Sequence, residues 1–242
     1  MPAGTHARPR VPVLRRAATL ARLVRERRWR DLRVALERST FPKGLFFVTR
    51  LVFCRMTEVA VPPIPLPHFD VREATPADEP LLQQVRARRR GYAPQFEAGH
   101  VCFLVMAGNR PAAYGWYECG GIHVSRPNGY TFDMGPHGCW SYAIEVHPEF
   151  RLKGALIKLW TEAVPRLRSR GVRAIYTSMP SDENLISLKS HQRLGFEIFC
   201  RLTVVRLAGV TWHRVEPVSG PAASGFGPWH GTDPSPVAGE PH

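Results

Sequence analysis

The residues with the clearest chemical potential lie between Trp140 and Leu156. An apolar run, Trp140 to Val146, reads as a strand and leads through His147-Pro148-Glu149-Phe150-Arg151-Leu152-Lys153-Gly154 into a helical pattern. A helix start exposes unpaired backbone N–H groups at the positive end of its dipole, and a glycine there lets a ligand approach the main chain. Arg151, Lys153 and Gly154 therefore outline an anion site of the kind that accepts phosphate, the side-chain charges supplementing the amides. Glu145 and Tyr142 stand on the same strand and are the titratable groups nearest to it. Strand alternation sends them to opposite faces unless a bulge intervenes.

The elements around this junction follow from periodicity. Phe69 to Glu73 alternates like a strand, and Thr75-Pro76-Ala77-Asp78 supplies an N-cap and a first-turn proline for a helix reaching about Arg89. Val101 to Ala107 and Ala112 to Glu118 flank Gly108-Asn109-Arg110-Pro111, the composition of a hairpin turn. The helix after Gly154 turns Leu156, Leu159, Trp160, Ala163, Val164 and Leu167 to one side, with Pro165 as a kink and Gly171 as a stop. Ala174 to Met179 reads as a strand, Asp182 opens a helix to about Leu194, and Glu197 to Leu207 returns as strand. The sum is a mixed α/β sheet flanked by helices.

Charge and composition divide the chain. Of 33 Lys and Arg against 20 Asp and Glu in 242 residues, residues 1–55 hold 14 basic and 3 acidic, a net +11, and the rest is near neutral at +2. Residues 1–66 form a basic N-terminal extension closed by a Pro-rich linker, residues 67–209 the α/β domain, and residues 210–242 a Pro/Gly-rich tail expected to be disordered. In the extension, Val13, Ala17, Leu20, Ala21 and Val24 recur at helical spacing beside arginines, and Leu45 to Phe53 looks like a short strand. A basic amphipathic helix suits an anionic membrane surface, or packs on the main domain with its arginines solvated. Nucleic acid is the weaker partner, because no aromatic-interleaved basic patch accompanies the charge. The five cysteines form no C-x-x-C pair and the ten histidines no metal-ligand spacing, so neither a disulfide framework nor a metal site is expected, and a reducing cytosol is the simplest compartment. The longest apolar run, Gly44 to Cys54, falls short of the roughly 20 residues of a transmembrane helix.

The junction resembles the GCN5-related N-acetyltransferase (GNAT) superfamily, whose hallmark is Gln or Arg, two residues, Gly, one residue, then Gly or Ala. Arg151, Gly154 and Leu156 occupy those places, Leu156 being the departure. Downstream, Asn184, Ser187, His191 and Leu194-Gly195-Phe196 resemble the family's Asn, Ser, Tyr and Gly-Phe arrangement, and Phe69 to Pro76 its opening strand, so the resemblance spans about residues 68–207. It implies a mostly antiparallel GNAT-like sheet that binds acetyl-CoA. The diphosphate would lie on Arg151, Leu152, Lys153, Gly154, Ala155 and Leu156. The pantetheine arm would pair with backbone near Ile144 and Val146, where the strand parts from its parallel neighbour 174–179, and Asn184 and Ser187 would flank the thiol end.

The implied reaction is direct attack of an amine on the thioester, which needs a neutral amine and a proton for the departing thiolate. His191 holds the family's frequent Tyr general-acid position, against a plain helix histidine with no chemical role. Glu145 or Tyr142 are the base candidates, against a strand-end ion pair and core packing. The acceptor, a small-molecule or protein amine, stays open. The rival from another class is a non-catalytic module that keeps the CoA fold and docks to a membrane surface or nucleic acid through its basic N-terminus.

Overall fold

The computed structural model describes residues 22, 25–26, 46–57, 65–180, 185–207, 210–218 and 226–228. Most of the basic extension, the linker prolines 62 and 63, and Asn184 lie outside the described residues. The chain divides into two compact units, Arg50–Thr203 with His213–His242, and Met1–Thr49 with Val204–Trp212. In the smaller unit Glu26 N–H donates to the Arg22 carbonyl at 2.9 Å, one turn of helix, and Arg206 Nε donates to Thr211 Oγ1 at 3.1 Å.

The main sheet is built from β1 (Phe46–Met56), β2 (Asp70–Glu73), β3 (Val101–Ala107), β4 (Arg110–Cys119), β7 (Gly138–Val146), β8 (Ala174–Pro180), β9 (Glu197–Leu207) and β10 (Val210–Pro217). Their order is β10-β9-β1-β8-β7-β4-β3-β2. The β7–β8 pair is parallel, whereas β1–β8, β2–β3, β3–β4 and β4–β7 are antiparallel. A second sheet, ordered β11-β6-β5, comprises β5 (Ile122–Ser125), β6 (Tyr130–Asp133) and β11 (Phe226–Pro228). The helices are α1 (Glu79–Val85), α2 (Ala93–Glu97), α3 (Ala155–Ser169) and α4 (Leu185–Arg193).

Local chemistry accounts for the boundaries. Thr75 offers both its N–H and Oγ1 to Asp78 Oδ2, at 2.8 and 3.1 Å, and Arg72 pairs with the same carboxylate. This reciprocal cap sets the 3-10 turn Pro76–Asp78 that feeds α1. The helix ends at Val85 rather than near Arg89, because Gln83 takes the Arg88 N–H at 2.6 Å and gives its amide to the Arg88 carbonyl at 3.1 Å, folding the chain into a turn. The α3 helix continues through Pro165 to Ser169.

The periodicity of α3 is realised in packing. Leu159, Trp160, Ala163, Val164 and Leu167 are buried against Val71, Phe103, Val105, Ala113 and Tyr117 on one face of the sheet. On the other face, Leu82, Val85 and Tyr92 cover Leu104, Tyr114 and Trp116. Each such side chain removed from water contributes about 1.5–3 kcal/mol.

Two segments depart from the sequence-based expectation. Phe46–Met56, read as part of a separate extension, contributes Leu51 to Met56 to pairing with β8 and lies between β8 and β9. Phe53 is fully buried and in ring contact with Trp140, Phe199, Tyr130, Phe132 and Phe226, a cluster worth more than the solvation of a free arm. The tail expected to be disordered from residue 210 carries β10 and β11. Val210-Thr211-Trp212 has strand-favouring side chains, and Val218 N–H reaches the Phe199 carbonyl at 2.9 Å. Among the described residues, no helix is long and apolar enough to cross a membrane.

Candidate active site

The two parallel strands stay together for only three residue pairs, Gly138 with Ala174, Cys139 with Ile175 and Trp140 with Tyr176. Beyond that point β7 keeps its pairing to β4 through Val146, while β8 keeps its pairing to β1 through Pro180. Among the described residues no further β7–β8 pair follows, so the inner edges of the two strands part from Ser141 and Thr177 onward. Such edges accept an extended ligand by strand-like hydrogen bonding.

A bulge sharpens the opening. The β4–β7 register shifts between Tyr114 and Trp116, opposite Glu145 and Tyr142, and Ala143 adopts φ 48°. Gly115 makes room for it, since a Cβ there would stand 2.5 Å from Ile144 Cδ1 and 3.1 Å from Leu159 Cδ2. The extra residue cancels one alternation. Tyr142 lies opposite Trp116 and Glu145 opposite Tyr114, so both fall on the α1–α2 face, whereas Ile144 packs toward α3. The two candidates expected on opposite faces share one.

The turn after β7 is held by backbone contacts: His147 N–H to the Ala112 carbonyl at 2.9 Å, Arg151 N–H to Pro148 at 3.4 Å and Lys153 N–H to Phe150 at 3.3 Å. Leu152 has φ 62° and is fully exposed, with Arg151 and Lys153 exposed beside it. Gly154 is the N-cap of α3 at φ 91°, and no side chain caps the helix. The first helical bond runs from Lys158 N–H to the Gly154 carbonyl at 2.9 Å, so the amides of Ala155, Leu156 and Ile157 precede the ladder. A Cβ on Gly154 would come within 2.9 Å of Leu66 Cδ1. These features fit a diphosphate: a glycine that the backbone requires, a helix start left without a side-chain cap, and two cations. Leu156, at the Gly/Ala place of the hallmark, is partly buried against the core of α3 and so spends its bulk inward.

On the α1–α2 face the polar side chains form pairs. Glu145 Oε1 is bound by Arg86 Nη1. The Tyr142 hydroxyl lies 2.5 Å from His100 Nδ1, the rings meeting edge to face. Burial raises the pKa of Tyr142 and lowers that of His100, so at neutral pH the phenol keeps its proton beside an uncharged imidazole, and the ring tautomer decides which of the two donates. Glu118 Oε2 meets His123 Nδ1 at 2.7 Å, and His123 stacks on Trp140 with centroids 4.1 Å apart. His100, Arg86 and Arg88 carry no motif and are at least 38 residues from β7 in the chain, so spacing alone does not find them.

His191 lies on the opposite side. Its ring packs edgewise on Trp160 and Phe196, and its Nδ1 is 2.8 Å from the Ser187 carbonyl and 3.4 Å from Ser187 Oγ. A carbonyl only accepts, so Nδ1 carries the hydrogen and Nε2 the lone pair. Burial lowers the pKa, which keeps the ring neutral without a proton on Nε2. This differs from the proton donor expected at the family's Tyr position, and the reason is the apolar contact with Trp160 and Phe196.

Comparison with known proteins bears on the same segment. The family model described as "Acetyltransferase (GNAT) family" matches residues 69–196. No curated protein matches significantly. Among solved structures, a GNAT-family acetyltransferase from Novosphingobium aromaticivorans is similar at 17% identity, covering 72% of this chain and 66% of its own, with a TM-score of 0.47. A tandem GNAT protein from the clavulanic acid biosynthesis pathway shows 17% identity over 72% of this chain and 55% of its own, TM-score 0.45. The aminoglycoside acetyltransferase AAC(6')-Iy, bound to a CoA-linked bisubstrate analogue, shows 26% identity over 54% of this chain and 91% of its own, TM-score 0.42. The chain thus spans just under two thirds of the first of these and about half of the second. With more than half of its residues matched, including β7, the turn and α3, the chain belongs to the GNAT family of acetyltransferases.

Proposed function

We propose that this protein transfers an acetyl group from acetyl-CoA to an amine that enters from the α1–α2 face. The carrying observation is the parting of β7 from β8 after Trp140 and Tyr176, beside the uncapped start of α3 at Gly154. Acetyl-CoA, the donor used by the family, supplies an activated acetyl thioester. The amides of Ala155 and Leu156, with Leu152, Arg151 and Lys153, hold its diphosphate, and the backbone of Ile144 and Val146 aligns its arm. Ser187 flanks the thiol end.

The protein's own groups then handle the protons. Glu145, oriented by Arg86, takes the proton that the incoming ammonium must lose. Tyr142 keeps its own proton at neutral pH; with His100 Nδ1–H donating to its oxygen, the phenol proton is free to pass to the departing sulfur, and the second proton shed by the acetylated nitrogen restores it. His191 holds α4 against Trp160. The +11 extension supports peripheral attachment to an anionic surface.

The test is thermal shift with acetyl-CoA followed by thiol release across an amine panel. A raised melting temperature and turnover with a subset of amines are expected. Neither a shift nor release from any amine would sink the reading.

A further inference from the structure

Among the described residues, Arg88 has no carboxylate partner. It follows α1 in the turn fixed by Gln83, and its guanidinium lies over the Tyr92 ring, Cζ 5.2 Å from the centroid. Its Nη2 is closed off from solvent and has no acceptor. The nearby carboxylate, Glu145, is engaged by Arg86. The Tyr92 hydroxyl meets that of Tyr114 at 2.8 Å, and both rings share the α1–α2 face with Tyr142, so Arg88 borders the aromatic lining from which Tyr142 and Glu145 serve the reaction. Trp116, stacked on Tyr92 at 6.1 Å, adds a buried Nε1 donor that likewise has no acceptor.

Buried donors in native proteins are nearly always satisfied, and a guanidinium nitrogen closed off from water without a partner is costly. Of the orphaned groups on this face, Arg88 Nη2 and Trp116 Nε1 are donors and Gln95 Oε1 on α2 is an acceptor, so donors outnumber acceptors and the charge of Arg88 asks for an anion. The planar guanidinium suits a carboxylate or phosphate. We propose that Arg88 binds an oxyanion on the acceptor, so that the amine acetylated by this protein also carries a carboxylate or a phosphate. The inference rests on the acetyl-transfer reading of the same site. It narrows the acceptor from any amine to a zwitterionic one, with the anion on Arg88 and the amine toward Glu145.

The experiment compares matched acceptors by thiol release: an amino acid panel against the corresponding primary amides, and phosphoethanolamine against ethanolamine, each with wild type, Arg88→Gln and Arg88→Lys. The expected result is a preference of about 10-fold or more in kcat/KM for the anionic member of at least one pair, read mainly in KM. Arg88→Gln brings that ratio near 1, Arg88→Lys retains part of it, and both keep the acetyl-CoA melting shift. The pair that shows the preference distinguishes carboxylate from phosphate. Equal turnover of both members of each pair, or a preference that survives Arg88→Gln, overturns the assignment of Arg88 while leaving acetyl transfer intact. No melting shift and no thiol release from any amine removes both.

Discussion

Glu145 and Tyr142 serve one pocket only because Ala143 occupies φ 48° and absorbs one step of strand alternation. The consequence is a division of labour that substitution can read. Glu145→Gln removes the proton acceptor and is expected to lower kcat about 100-fold or more, with the acetyl-CoA melting shift retained. Tyr142→Phe leaves the ring in its packing and removes the hydroxyl, and a smaller fall in kcat is expected. The measurement is steady-state thiol release. His191 calls for a different readout. Its folded pKa is depressed, as is that of His100, so below about pH 6.5 the unfolded chain takes up protons that the folded chain refuses. Stability is therefore full above that pH and declines as pH falls toward the folded values. In denaturant titrations at pH 7.5 and 5.5, His191→Gln is expected to shrink the difference between the two pH values and to preserve turnover, which a general acid would not.

The start of α3 is where an element carries function. Gly154 sits at φ 91°, a region that costs an L-residue about 1–2 kcal/mol, and its Cβ would press on Leu66. Gly154→Ala is expected to lower stability by that order and to raise KM for acetyl-CoA at least several-fold, seen in calorimetry as weaker binding. At the start of α1, the Asp78 carboxylate accepts from Arg72 and from Thr75, and the Arg72 guanidinium holds its pKa far below the ordinary range. A depressed carboxylate contributes above its unfolded pKa near 4 and loses that contribution as pH falls further. Asp78→Asn is thus expected to destabilise at pH 7 and to approach wild type near pH 2.

At the level of the whole molecule, β1 decides how the basic segment can be studied. Leu51 to Met56 pair with β8, and Phe53 is buried among five aromatic rings of the two sheets, those of Tyr130, Phe132, Trp140, Phe199 and Phe226. Deleting residues 1–66 removes that strand, and loss of the cooperative melting transition is the expected outcome. A deletion ending before Phe46 spares it and is the variant with which to compare sedimentation on anionic vesicles at low and high salt. Salt-insensitive behaviour identical to that of the full chain would end the membrane reading.

The order of elements from Phe69 to Leu207 was legible because each carries a local signature: the alternation of β2, the Thr75–Asp78 cap, the Gly108-Asn109 turn, and the stripe from Leu159 to Leu167 on α3. The glycine at the mouth of α3 was legible for the same reason, since its φ is a demand of the adjacent chain. The β5–β6 hairpin and the seat of β1 between β8 and β9 were not. Those depend on which apolar strand finds an aromatic partner across the sheet, and no short window of sequence contains both partners. The site divides in the same way. Sequence named Glu145, Tyr142 and Gly154, but the bulge that turns the first two to one face, the His100 behind Tyr142, and the unpaired Arg88 come from residues distant in the chain. Local backbone preference is written residue by residue; the burial that orients a side chain, orphans a charge or holds His191 neutral exists only once the faces have met.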